Sequence, residues 1–189
     1  MKILVLDNYD SFTYNLVQYV EELSGTRPDV FRNDAITVEE AGRYDKILLS
    51  PGPGLPAESG ILCELIRALA PTKSIFGVCL GLQAIGEVFG GELENLTKVF
   101  HGVATPIHLR TDSEPLFREI PSTFEAGRYH SWVVSKRNFP GCFNLTCEDD
   151  EGMVMGLTHK TYDVRGVQFH PESVMTVHGK TMIKNWVII

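Results

Sequence analysis

Ser74-Ile75-Phe76-Gly77-Val78-Cys79-Leu80-Gly81-Leu82-Gln83-Ala84-Ile85 is the stretch on which the fold turns. Ser74–Val78 is a short apolar run that suits a strand buried on both faces. Leu82–Phe89 carries apolar residues at helical spacing until Gly90-Gly91 ends it. A strand therefore runs into Cys79 and a helix leaves just beyond it. Glycine stands two residues before that cysteine and two after, the G-x-nucleophile-x-G pattern of a strand–turn–helix elbow, with Cys as the central residue. The glycines remove side chains that would collide in so sharp a turn. The helix N-terminus sets partial positive charge beside the sulfur, which favours thiolate. A buried structural cysteine in a tight turn would read the same way, so the rest of a site has to be sought elsewhere in the chain.

Upstream, Ile3–Leu6 is another apolar strand, followed by a helical stripe of Phe12, Leu16, Tyr19, Val20 and Leu23 that Gly25 stops. Pro28–Asn33 suits a second strand, and Thr37 with Glu40 makes a capping box for a short helix. Ile47–Leu49 is a buried strand ending in Pro51-Gly52-Pro53-Gly54, and residues 58–69 read as a helix broken by Pro71. Strand alternating with helix in this way means βαβ units and a parallel sheet covered on both faces. From about residue 92 the texture changes to short alternating strands over 104–110, 122–129, 132–135, 143–148, 153–158 and 164–169. A last helix is predicted over roughly 174–187. No linker, repeat or low-complexity stretch divides residues 1–189, so the expectation is one α/β domain with a mostly parallel central sheet and a small antiparallel β addition.

Composition agrees with a compact domain. The chain has 189 residues, 43% of them hydrophobic, which excludes a disordered or fibrous class. Its 17 basic against 24 acidic residues give a net charge of −7, which speaks against a nucleic-acid or anionic-membrane binder while leaving room for a local basic pocket. Four cysteines are too few for a disulfide scaffold, and no apolar run approaches the roughly 20 residues that span a bilayer. With no secretory core at the N-terminus, the expected location is cytoplasmic, and the Asn95 and Asn144 glycosylation triplets are chance matches.

In open α/β sheets ligands sit at the carboxyl ends of the strands, and two further strand ends carry unusual residues. One is Gly166-Val167-Gln168-Phe169-His170-Pro171-Glu172. In extended chain, residues two apart point the same way, so Glu172 can hold one imidazole nitrogen of His170 while the other faces the thiol, a base with its orienter. Alone, His-Pro-Glu also reads as a surface turn. The other is the Pro51–Gly54 loop, a turn punctuator when read by itself, whose free backbone N–H would serve an oxyanion together with the N–H of Leu80. Gln83, four residues past Cys79, shares its helical face and suits a polar substrate or simply solvent. Cys142 and Cys147 lack a second pair in register for a metal, and Cys63 reads as helix core. His101, His108, His159 and His178 show no metal spacing, and Glu148–Gly152 reads as a solvated turn. Neither a P-loop nor G-x-G-x-x-G occurs, so no cofactor is expected.

Taken together, Pro51–Gly54, Gly77–Gly81 with Gln83, Tyr129-His130-Ser131 and Gly166–Ser173 resemble the class I, triad-type glutamine amidotransferases. Asp7-Asn8-Tyr9-Asp10-Ser11-Phe12-Thr13-Tyr14-Asn15 is similar, within that family, to the amidotransferase subunits of anthranilate and aminodeoxychorismate synthases. The resemblance implies a flavodoxin-like sheet, Cys79 as nucleophile, His170 as base and Glu172 as its orienter. It implies L-glutamine held by Gly52, Pro53, Gly54, Gln83, Ser131 and Trp132, the last two through backbone groups. The partner it implies is a large chorismate-binding synthase subunit. Three positions depart from the family pattern: Leu82 where His is usual, Trp132 where Leu is common, and Val103 where Lys often stands. The rival readings of the same residues are a γ-glutamyl hydrolase, a cysteine peptidase or a silent regulatory subunit.

Overall fold

In a computed structural model describing residues 1–189, the first half of the chain lays down four strands, each followed by a helix. The strands are β1 (Ile3–Asp7), β2 (Asp29–Arg32), β3 (Lys46–Leu49) and β4 (Ser74–Val78). The helices are α1 (Thr13–Ser24), α2 (Val38–Ala41), α3 (Leu62–Leu69) and α4 (Leu80–Val88). β1, β3 and β4 are buried at every position, as central strands covered on both faces must be. Their continuous apolar runs follow from that. Lys46 is the one basic residue in this set: its ammonium reaches the Trp186 carbonyl at 3.0 Å and the Ser74 hydroxyl at 3.3 Å, so the buried charge is hydrogen-bonded. α1 ends where Gly25 takes φ of 70°, and Thr37 with Glu40 forms the expected reciprocal cap on α2.

The second half adds β5 (Leu93–Asn95), β6 (Val103–Leu109), β7 (Thr123–Arg128), β8 (Trp132–Val134), β9 (Phe143–Asp149), β10 (Val154–His159), β11 (Val164–Val167) and α5 (Gly179–Ile188). β11 returns to lie parallel beside β4, with Gly166 opposite Gly77. The sheet runs β2-β1-β3-β4-β11-β10-β9-β6-β7, parallel through β11 and antiparallel beyond. Most of the antiparallel addition thus extends the main sheet, and only β5 and β8 pair apart from it. α1 and α5 pack Leu16, Val20, Ile183 and Trp186 on one face, while α3 and α4 pack Leu65, Ile66, Leu82 and Ile85 on the other. No helix is long and apolar enough to cross a membrane.

Three details differ from the sequence reading. The last helix starts at Gly179, because residues 170–179 are spent in successive turns closed by Ser173, Thr176 and Gly179 N–H groups on the carbonyls three residues back. β5 has no apolar alternation to announce it; Glu94 is drawn into the small sheet opposite Val133. The acidic run at 148–151 is only half solvated. Glu148 pairs with Arg110 and Lys136, and Asp149 with Arg128, and both carboxylates are buried.

Candidate active site

Cys79 sits at the carboxyl end of β4 in the residue before α4, with φ of 51° and ψ of −102°. A non-glycine residue held there costs on the order of 1–3 kcal/mol, a strain found chiefly where a side chain must be presented to a ligand. The neighbouring glycines make the turn possible by close approach. A Cβ on Gly81 would lie 2.7 Å from the Leu49 carbonyl oxygen, and one on Gly77 would lie 2.5 Å from the Gly81 carbonyl carbon. The elbow is therefore pressed onto β3 and onto its own helix.

A cavity of about 190 Å³ opens over the sulfur. Gly52, Pro53, Gly54, Cys79, Gln83, Ser131 and Trp132 all line it, together with Tyr129 and His130. Leu80 does not line it; its side chain packs behind the Gly52 backbone, where a Cβ on Gly52 would meet it at 2.8 Å and the Asn8 carbonyl oxygen at 2.5 Å. The Gly52 N–H donates to no group of the protein, and the Leu80 N–H stands in the unpaired first turn of α4. Of the three departures from the family pattern, Leu82 is fully buried in the core away from this cavity, and Val103 is exposed at the start of β6.

His170 follows β11, and its Nδ1 lies 2.6 Å from Glu172 Oε1, both side chains being buried. The contact expected from extended chain is made differently. Pro171 and Glu172 occupy a turn closed by the Ser173 N–H on the His170 carbonyl, which also accepts from the Thr176 hydroxyl at 2.6 Å. Burial works against the imidazolium, but the attraction of Cys79 and Glu172 outweighs it and lifts the His170 pKa to about 10. His170 Nε2 and Glu172 Oε2 have no hydrogen-bond partner in the protein. The hydrogen bond formed by the ring is thus the one from Nδ1 to Glu172, and its Nε2 is left free on the Cys79 side. Tyr129 closes on the His170 ring edge-to-face at 4.8 Å, and Phe12 at 6.3 Å. Phe12 caps α1 beside the imidazole instead of joining the core stripe of that helix.

His130 has a part that the sequence reading did not give it. Its Nε2 faces the Arg128 Nε–H at 3.1 Å and its Nδ1 the Trp132 carbonyl at 3.0 Å. Arginine only donates and a carbonyl only accepts, so the ring is neutral with its proton on Nδ1. Burial, and then the Arg128 charge, push its pKa down to about 3. Arg128 is itself fixed by Asp149 at 2.7 Å and lies over the Phe100 ring at 3.6 Å. A histidine neutral in the fold but protonated in the unfolded chain below about pH 6.5 makes stability fall as pH drops through that value. Relative to His130→Asn, the unaltered protein is expected to lose about 2 kcal/mol more stability between pH 7 and pH 5. Urea unfolding at the two pH values checks this, and equal losses in the two proteins would contradict it.

Comparison with known proteins follows the same lines. The family model for glutamine amidotransferase class-I matches residues 4–189. The chain is 46% identical over 193 residues to anthranilate synthase beta subunit 2, chloroplastic, of Oryza sativa subsp. japonica, covering 99% of this chain and 70% of that one. It is 44% identical over 187 residues to aminodeoxychorismate/anthranilate synthase component 2 of Bacillus subtilis, covering 98% and 95%. Among solved structures, a Thermoplasma acidophilum protein described as a GMP synthase subunit superposes with a TM-score of 0.88 at 28% identity, covering 99% and 92%.

Proposed function

Since the chain belongs to the class I glutamine amidotransferase family, we propose that it is the glutaminase subunit of a chorismate-using synthase, making anthranilate, aminodeoxychorismate or both. Similarity along nearly the whole length of an aminodeoxychorismate/anthranilate synthase component 2 supports that choice. The observation that carries the chemistry is the cavity in which the strained Cys79 meets Gly52, Gln83, Ser131 and Trp132. We read residues 1–189 as one amidotransferase domain, supported by the family match and the continuous nine-stranded sheet.

In this mechanism the Cys79 thiolate attacks the side-chain carboxamide carbon of L-glutamine, whose backbone-facing end is held by Gly54, Gln83, Ser131 and Trp132. The developing oxyanion accepts from the Gly52 and Leu80 N–H groups, and one such donor is typically worth about 2.7–4 kcal/mol of barrier. The His170 imidazolium protonates the departing nitrogen, ammonia leaves, and a γ-glutamyl thioester remains. Neutral His170 then takes a proton from water, the hydroxide adds to the thioester, and the thiolate departs. Glutamine and water become glutamate and ammonia, with no cofactor required by the balance. The ammonia passes to the large subunit, which binds chorismate.

The test is to supply the chain with L-glutamine and with γ-glutamyl peptides, first by itself and then with the large subunit of an anthranilate or aminodeoxychorismate synthase. Glutamine hydrolysis that rises at least about tenfold with the large subunit, with peptides turned over poorly, is the expected result. Efficient peptide hydrolysis without any partner would favour the γ-glutamyl hydrolase or peptidase reading instead.

A further inference from the structure

We propose that Gln168 is a further catalytic residue: its side-chain N–H holds the Cys79 sulfur, in a direction relayed from the Trp132 carbonyl through Gln83. The Gln168 Nε2 lies 3.5 Å from Cys79 Sγ, within reach of the larger sulfur acceptor, and Gln168 is wholly buried. On the other side, the Gln83 Nε2 donates to Gln168 Oε1 at 3.2 Å and to the Trp132 carbonyl at 2.9 Å. An amide oxygen and nitrogen look alike in outline, so each orientation has to be fixed by its neighbours. Here the chain of neighbours ends on an unambiguous group. The Trp132 backbone oxygen can only accept, so Gln83 turns its NH₂ towards it. The same NH₂ faces Gln168, which must therefore offer oxygen there and nitrogen to the sulfur. The second donor on the Trp132 carbonyl, the Nδ1–H of His130, holds that oxygen in place.

A pure donor aimed at sulfur suits a thiolate better than a thiol, because hydrogen bonds to an ionised acceptor are about twice as strong. Gln168 gives the sulfur its one side-chain hydrogen bond, since His170 Nε2 makes none. Gln83 and Trp132 both line the substrate cavity, so a ligand that pulls on either pulls on the donor at the nucleophile. Gln168 directly follows β11, where its backbone N–H is held on the Met155 carbonyl at 2.9 Å.

This rests on Cys79 being the nucleophile, and the experiment separates the two. Alkylation of Cys79 by iodoacetamide is followed across pH by mass spectrometry of the cysteine-containing peptides, in the unaltered chain, Gln168→Met and Gln168→Glu. In the unaltered chain Cys79 should be alkylated at neutral pH. Gln168→Met should react about tenfold more slowly at neutral pH, with its profile displaced to higher pH by about a unit. Gln168→Glu, which turns an acceptor onto the sulfur, should be displaced further. Unshifted profiles in folded variants would overturn the role of Gln168 alone. An unreactive Cys79 in the unaltered chain would overturn the nucleophile itself. Where the variants do not fold, the Gln168 side-chain amide resonance of the unaltered protein decides: it should titrate with the Cys79 profile and lose that titration in Cys79→Ser, and a pH-independent resonance overturns the proposal.

Discussion

Cys79→Ser is expected to reduce glutamine-dependent product formation by the reconstituted synthase by at least about 10³-fold, while ammonia-dependent formation continues at its full rate. The replacement is nearly isosteric in a buried turn, so the elbow, with its glycines pressed on Leu49 and on α4, should survive. What changes is the group that we propose as the nucleophile. A hydroxyl in that position has an ionisation far above the range that a helix N-terminus, a Gln168 donor and a nearby imidazolium can bring to neutrality. Retention of amination from added ammonia follows if the chorismate chemistry lies on the large subunit. Assaying both nitrogen sources on one preparation separates loss of the nucleophile from loss of the complex. Undiminished glutamine use would sink the assignment of Cys79.

Glu172→Gln is expected to lower glutamine-dependent kcat/KM by about 10²–10⁴-fold. Glu172 accepts from His170 at 2.6 Å and is buried with it, so the carboxylate both aims the ring and supports its charge. With Cys79 and Glu172 present the His170 pKa stands raised at about 10; without the carboxylate one of the two groups that raise it is gone, and burial pulls it down. The ring then gives up at lower pH the proton that the departing ammonia needs. The alkaline limb of the pH–rate profile should move down correspondingly. Stability follows the same sign. A raised folded-state pKa contributes stability that is full below about pH 6.5 and is lost as pH rises through about 10. The variant should lose the carboxylate's part of this contribution and be less stable at neutral pH by about 3–5 kcal/mol, the usual cost of stranding one partner of a buried pair. Activity profiles and urea unfolding on the same samples check both halves. An unmoved alkaline limb would contradict the role given to Glu172.

Ile3–Leu6, Ile47–Leu49 and Ser74–Val78 announce central parallel strands because a strand covered on both faces has no polar side to show. Gly25 and the Thr37–Glu40 box fix helix ends for equally local reasons, a left-handed residue and a reciprocal cap. The elbow glycines are legible from their spacing around Cys79; Gly77 has a steric cause four residues on at Gly81, while Gly81 itself is pressed on Leu49 of β3. What could not be read is of another kind. Val174 and Val177 carry helical spacing, yet both are highly exposed on the turns that lock His170 and Glu172. Those turns are closed by Thr176, whose hydroxyl binds a carbonyl that no local pattern identifies.

By itself, then, the sequence determined the parallel sheet, the elbow at Cys79 and the three strand ends on which a candidate site is built, since each is announced by a pattern within a few consecutive residues. Only the tertiary structure decided how those ends act on one another. Gln83 meets Trp132 across 49 residues and Gln168 across 85, and Gln168 meets Cys79 across 89. Arg128 and His130, which fix the end of that chain, are polar groups whose burial is intelligible only once Asp149 and Phe100 have been folded against them. A buried donor takes its direction from its acceptors, and those acceptors are assembled by strand pairing between distant segments rather than written beside it.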